Sequence, residues 1–248
     1  NFRMIKKLLL LSALLIFACS SDDNSNNNLN VELLNSNGEI VPTIVYGTQQ
    51  WSVENADYTT YTDGTPIPEV TDATDWANLT TGAWCYYDND PNKGVLYNWY
   101  AVRGIHDNDP NTPNKEFAPE GWHVPSDPEW TTLEEHLIAN GYNYDGTTTE
   151  NKIAKSMAST TGWNSSTTTG VIGNDQGLNN SSGFNAFPEG YRFNGASFND
   201  EGNFALFWSS SEYIGYNAWY RILYYDSGSL PRSYDYFKQD GFSVRLVR

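Results

Sequence analysis

Gly121-Trp122-His123-Val124-Pro125-Ser126-Asp127-Pro128-Glu129-Trp130 is the stretch whose reading decides the fold class. Ser126 and Glu129 stand three apart ahead of an apolar run, which is the spacing of a capping box. The Ser126 hydroxyl can accept from the Glu129 amide while the Glu129 carboxylate reaches back to the Ser126 N–H. Behind the cap, Trp130, Leu133, Leu137 and Ile138 fall at i, i+3, i+7 and i+8, one face of an amphipathic helix, and Gly141 is placed to end it after Asn140. A second, shorter helix is expected over 151–159, with Ile153, Ala154, Met157 and Ala158 inward.

Beyond residue 184 the helical spacing gives way to strand and turn patterns. Residues 218–225 are a run of β-formers closed by the turn residues Asp226-Ser227-Gly228-Ser229. Phe242, Val244 and Leu246 alternate with Ser243, Arg245 and Val247, which predicts a strand with one face in the core. Upstream, 41–51 is rich in β-formers, 61–66 is a turn and 75–82 is irregular. Helices early and strands late point to an α+β fold and away from an alternating parallel sheet.

The chain has 248 residues with 14 Lys+Arg against 30 Asp+Glu, a formal net charge of −16. Nucleic acid is therefore not an expected partner, since binding phosphates needs a basic face. Aromatic residues make up 15% of the chain, which excludes disorder for most of it. Two Cys exclude a disulfide framework, and the length suffices for one core without staples.

At the N-terminal end, Arg3, Lys6 and Lys7 precede an apolar run over 8–18 that is too short to span a bilayer. Residues 1–18 are expected to be a signal peptide. Leu15-Ile16-Phe17-Ala18-Cys19 looks like a bacterial lipobox, so Cys19 is the expected lipidation site, with an ordinary signal peptide and an incidental Cys as the alternative. Without residues 1–18 the 14 basic residues fall to 11 against 30 acids, a net of −19. Asp22 and Asp23 resemble the signal that exports Bacteroidota lipoproteins to the outer face of the outer membrane. The expected place is thus the outer membrane, lipid-anchored through Cys19 and facing the cell exterior. Residues 19–40 are assigned to the lipidated Cys and a flexible Asn/Ser-rich tether, polar above all over 20–30. From about Val31 no second linker or composition break follows, and one domain is expected over 41–248.

Three segments are distinctive together: 121–130 quoted above, Ser182-Gly183-Phe184-Asn185-Ala186-Phe187-Pro188-Glu189-Gly190-Tyr191-Arg192, and Phe207-Trp208-Ser209-Ser210-Ser211-Glu212. They resemble the Fibrobacter succinogenes major paralogous domain of bacterial surface lipoproteins, over about 47–245. That family looks like a relative of the C-type lectin and formylglycine-generating enzyme fold. The resemblance implies two helices packed on small antiparallel sheets, with long loops shaping a ligand face. It does not carry an activity with it. Formylglycine-generating enzymes hold copper with cysteines near the end of the domain, and no Cys follows Cys85 here. No cofactor is expected on that ground. Relatives often have a Cys at the position of Leu246 that pairs with the one at Cys85, so the resemblance implies that Cys85 has lost a partner and is a small buried hydrophobe, with a reactive thiol as the alternative.

His106, His123 and His136 show no metal spacing, and His123 is expected to pack or hydrogen-bond ahead of the capped helix. Asp-Asn-Asp-Pro-Asn occurs at 88–92 and 107–111, which makes Asp88, Asp90, Asp107 and Asp109 weak calcium candidates. Lys93 stands where an EF-hand loop requires Gly and Trp99 where it requires Glu, and plain turns select the same residues. No nucleophile elbow, phosphate loop or dinucleotide fingerprint occurs, and no catalytic residue is assigned. With 30 acids present, paired carboxylates do not discriminate for or against a glycosidase.

Tyr213, Tyr216, Asn217, Tyr224, Asp226, Ser229, Arg232, Tyr234 and Asp235 cluster around turns and are the candidate ligand-binding set. Such residues combine rigid contact area with adaptable hydrogen bonding. Trp51, Trp84, Trp99, Trp122, Trp130, Trp208 and Trp219 are expected in the core. The resulting expectation is a non-catalytic surface lipoprotein that binds a glycan or a protein. A polysaccharide-active enzyme and a structural or tip subunit of a surface fibre are the alternatives.

Overall fold

The structure, a computed structural model, describes residues 32–195 and 197–248. No helix among them is long and apolar enough to cross a membrane. The signal peptide, Cys19 and the tether up to residue 31 lie outside the described residues.

The fold is α+β, with few helices and small antiparallel sheets. Strands β1 (Thr43–Tyr46) and β2 (Gln49–Ser52) form a hairpin that turns at Gly47, whose φ of 62° is in the left-handed region. Helix α1 (Ala73–Ala77) follows, then the antiparallel pair β3 (Trp84–Tyr86) and β4 (Val95–Tyr97), then the single turn α2 (Trp99–Val102). Helices α3 (Asp127–Ala139) and α4 (Ala154–Met157) precede the pair β5 (Tyr191–Arg192) and β6 (Phe198–Asn199). The largest sheet is β7 (Phe204–Ile214), β8 (Asn217–Tyr224) and β9 (Arg232–Ser233), in that spatial order.

Helix α3 is the expected helix with the expected ends. The backbone N–H and the hydroxyl of Ser126 both donate to the Glu129 carboxylate at 2.7 Å, and Asn140 caps the far end. Trp130, Leu133 and Leu137 are fully buried, with Ile138 packed at the edge. The second helix is shorter than expected. Ile153, Ala154, Met157 and Ala158 are all buried, but the chain leaves the helix to pair with residue 186: Ala186 N–H donates to Met157 O and Ser159 N–H to Ala186 O, each 2.8 Å. The irregular 75–82 stretch also needs correcting at its start. Asp72 Oδ1 accepts from the N–H groups of Thr74 and Asp75 and so caps α1.

The C-terminal segment departs furthest from expectation. Residues 242–247 are extended, but they bridge singly to Tyr97, Phe207, Trp51 and His123 instead of forming a long ladder, and all six are buried. Their alternation sorts side chains between two cores. Phe242, Val244 and Leu246 join Tyr97, Trp208 and Tyr220. Val247 joins Trp51, Trp130 and Phe207, and Arg245 lies over the Phe184 ring at 4.6 Å. Strands β7 and β8 are divided in the same way, with Leu206, Trp208, Tyr220 and Ile222 on one side and Ala205, Phe207 and Leu223 on the other.

Short strands leave many loop carbonyls in the interior, and buried arginines satisfy them. Arg192 donates to Val70 O, Thr71 O and Asp72 O while lying 4.3 Å from the Trp76 ring centre. Arg245 donates to Ser52 O and Phe184 O at 2.9 and 3.0 Å, to Asn185 O and to Asn55 Oδ1.

Cys85 is fully buried beside Trp76, Ala83 and Leu96, and burial pushes its thiol up to about 11. Leu246 packs in the first core instead, so the two positions that the resemblance couples fall in separate clusters. The folded unit also begins before the boundary expected at 41. Leu33 is 2% exposed, Leu34 bridges Ile40, and Ser36 binds the Asp57 carboxylate through its N–H and hydroxyl.

Candidate functional site

The β7–β8 hairpin turns at Gly215 and Tyr216, where the φ of 55° at Gly215 favours glycine. Register shifts between Trp208 and Ile214 interrupt the ladder there and re-aim the β7 side chains. On β8 the buried Ala218, Tyr220 and Ile222 share one face, so Trp219 points to the other. There the Tyr213 and Tyr234 rings stack at 4.0 Å, and Trp219 meets them edge-on at 4.8 and 5.2 Å. The Arg232 guanidinium lies 3.3 Å from the Trp219 ring centre.

This group is pinned to the start of α3. Arg232 donates from Nε and Nη2 to the two oxygens of Asp127, at 2.8 and 2.7 Å, a planar fork on a planar acceptor. Asp127 also accepts from Arg221 Nη1 at 2.8 Å, and Arg221 Nε reaches Glu134. Burial raises the Asp127 carboxyl, but bonds from Arg232 and Arg221 outweigh it and hold it below its ordinary value. Burial pushes Glu134 up, with Arg221 offsetting only part of the rise. The strongly charged α3 N-terminus is thereby consumed in holding the aromatic face.

The nine candidates do not gather in one place. Tyr213, Arg232 and Tyr234 come together around Trp219. Tyr216 is at the hairpin tip, 72% exposed beside Ile214 at 68%, while the Asn217 side chain is committed to Tyr236 O. The others lie elsewhere. Tyr224 is on the opposite face of β8, edge-on to Phe204 at 4.8 Å. Asp226 and Ser229 lie beyond the far end of β8, with Ser229 Oγ 3.1 Å from Ser227 Oγ. Asp235 Oδ1 accepts from Tyr220 OH and the Ser233 hydroxyl, so it serves the scaffold. Trp219, expected in the core, is half-buried and central to the face. Its parity on β8 relative to Ala218 and Tyr220 is the signal that could have placed it. The other six tryptophans expected in the core are buried there.

At the repeated acidic peptides the chain uses its own groups as ligands. Asp90 accepts from Asn92 N and Nδ2 at 3.0 and 2.8 Å, and Asp109 from Asn111 in the same way. Asp107 accepts from Asp109 N–H, and Asp88 lies 3.7 Å from Lys93. Among the described residues no three His, Cys, Asp or Glu side chains gather as a metal site. His123 Nε2 is 2.6 Å from Glu129 Oε1, the carboxylate that also caps α3.

A single loop-rich α+β domain, tied internally by arginine and carrying an exposed aromatic face on its longest hairpin, is the class that this geometry defines. The chain belongs to the Fibrobacter succinogenes major domain family, whose model matches residues 44–248. No curated protein and no solved structure matches it.

Proposed function

We propose that the chain is a lipid-anchored protein of the outer membrane, held through Cys19 with its domain outside the cell, that binds a protein partner without catalysis. The observation that carries this reading is the Tyr213–Tyr234 stack braced by Trp219 and Arg232 and continued by the exposed Ile214 and Tyr216. Tyr, Trp and Arg are the residues that dominate protein interfaces, and rings already locked against one another lose little freedom on binding. A contiguous exposed apolar surface needs a reason in a single domain. The packing of α3 against a long hairpin, with loops around it, supports kinship with C-type-lectin-like domains. Against the enzyme reading, Asp127 and Glu134, the acids that hold this face, are both engaged by arginine.

The test is binding of the full chain to outer-surface proteins and to a glycan array, beside a variant carrying Tyr213→Ala, Trp219→Ala and Tyr234→Ala. Protein binding should fall at least roughly tenfold, which is about 1.4 kcal/mol. Unchanged binding by a variant that melts normally would sink this face as the site. Array binding alone, lost in the variant, would favour the glycan reading, and self-association of the purified chain would favour a fibre subunit.

A further inference from the structure

A cavity of about 400 Å³ lies between residues 53–59, 86–95 and 185–189, and it shares no residue with the aromatic face. That volume is in the range that holds small ligands. Its floor is built from buried polar groups. Arg245, 1% exposed, fixes Asn55 through a 2.6 Å bond to Oδ1. Asn55 Nδ2 then donates to Glu189 Oε2 at 2.7 Å, and the Ser243 hydroxyl donates to the same oxygen at 3.0 Å. One oxygen of Glu189 is thus held twice, while among the described residues Oε1 has no hydrogen-bond partner. Gly94 makes room for the carboxylate itself: a Cβ there would sit 2.4 Å from the carboxyl carbon and from Oε2 and 2.7 Å from Oε1. Glu189 and Phe187 also line an adjoining cavity of about 260 Å³, so the two spaces meet at these side chains.

The rest of the lining narrows the chemistry. Phe187 is 43% exposed and has no aromatic partner among the described residues, in contrast to the rings of the hairpin. Among the described residues the Asn37 side-chain amide, Asn185 Nδ2 and the Glu54 carboxylate, which also line the cavity, have no hydrogen-bond partner. Both lining cations are engaged, Lys93 by Glu201 at 2.6 Å and Arg245 by carbonyls and Asn55, which leaves nothing to pair with an anion. A metal ion is not favoured either: Glu54, Asp57 and Glu189 all line the cavity, but among the described residues no three His, Cys, Asp or Glu side chains gather to hold one. What fits is a neutral molecule with several hydroxyls and one apolar face.

We propose that this cavity binds a single neutral sugar residue, with Glu189 Oε1 accepting from a ring hydroxyl and the Phe187 ring covering the sugar's C–H face. The site is independent of the protein-binding face. Glu189→Gln probes it cleanly, because the amide oxygen can still accept from Asn55 and Ser243 while the open atom becomes a donor. Saturation-transfer NMR and calorimetry on the full chain would use D-glucose, D-galactose, D-mannose, D-xylose and N-acetyl-D-glucosamine as probes. At least one should bind, with roughly tenfold weaker affinity in Glu189→Gln and in Phe187→Ala and unchanged affinity in Trp219→Ala. If Glu189→Gln fails to fold, the exposed Phe187→Ala variant decides. Binding by none of the sugars, binding that survives Phe187→Ala, or binding lost in Trp219→Ala would each overturn the proposal. The last of these would leave the aromatic face standing as a site.

Discussion

The outer face of the β7–β8 hairpin and the cavity at Glu189 use the same kinds of side chain in opposite ways. On the hairpin, rings satisfy one another and the charges behind them are fully paired, leaving apolar area for a partner to cover. At the cavity one ring stands alone and one carboxylate oxygen is left unbonded, so recognition there has to be directional. The difference teaches that buried arginines do not mark a site by themselves. Arg221 beneath the face and Arg245 beneath the cavity are both enclosed, and what differs is whether the acid each supports keeps an open oxygen.

The hardest test of the paired side of this comparison is Arg221→Met. It leaves Asp127 and Glu134 buried with only Arg232 near them, and it should cost about 3–5 kcal/mol, read as a large drop in calorimetric Tm. A drop under about 1 kcal/mol would mean that the network does not hold the hairpin to α3.

Smaller, and opposite in sign to most carboxylates, is the pH response of Asp240. It accepts from the N–H groups of Asn194 and Phe237 and so braces the loop whose Lys238 N–H holds Tyr216 O at the hairpin tip. Burial nevertheless pushes it up to about 7. Because its folded value lies above its unfolded one, its stabilisation is complete below about pH 4 and is lost as pH rises toward 7. Melting between pH 5 and 8 should therefore show a downward slope worth at most about 3 kcal/mol, flattened in Asp240→Asn. Asp127, lowered by its arginines, works the other way and is lost on acidification.

The smallest effects sharpen the contrast between the two sets of rings. Trp219→Ala should cost about 1–2 kcal/mol of stability, because the indole contacts two tyrosines and a guanidinium. Phe187→Ala should stay within about 0.5 kcal/mol when both variants are compared by urea titration, since its exposed ring has no such neighbours.

Where the determinants are local, the sequence alone was enough. The cap of α3 lies within four residues, and its apolar face recurs at a helical period, so its limits and inward residues were legible. The 151–159 stretch carries the same kind of apolar spacing, yet α4 is one turn long because Ala186, nearly thirty residues on, takes over its backbone pairing. The tyrosines near turns were legible as exposed, but which of them meet depends on strand parity and register. Tyr224 and Trp219 exchanged their expected roles for that reason. Glu189 lay within a recognised motif and still gave no sign of a site, since its partners come from residues 55, 94 and 243.

Composition, the capped helix and three ordered motifs were thus sufficient for the α+β class and the family, because propensity, capping and motif spacing act over short separations. Only tertiary structure decided that the extended segment 242–247 is covered on both faces, that Arg232 joins Trp219 to the start of α3, and that Glu189 keeps one oxygen open. Each of those depends on contacts between segments far apart in the chain, and their geometry is set by packing and burial instead of local preference.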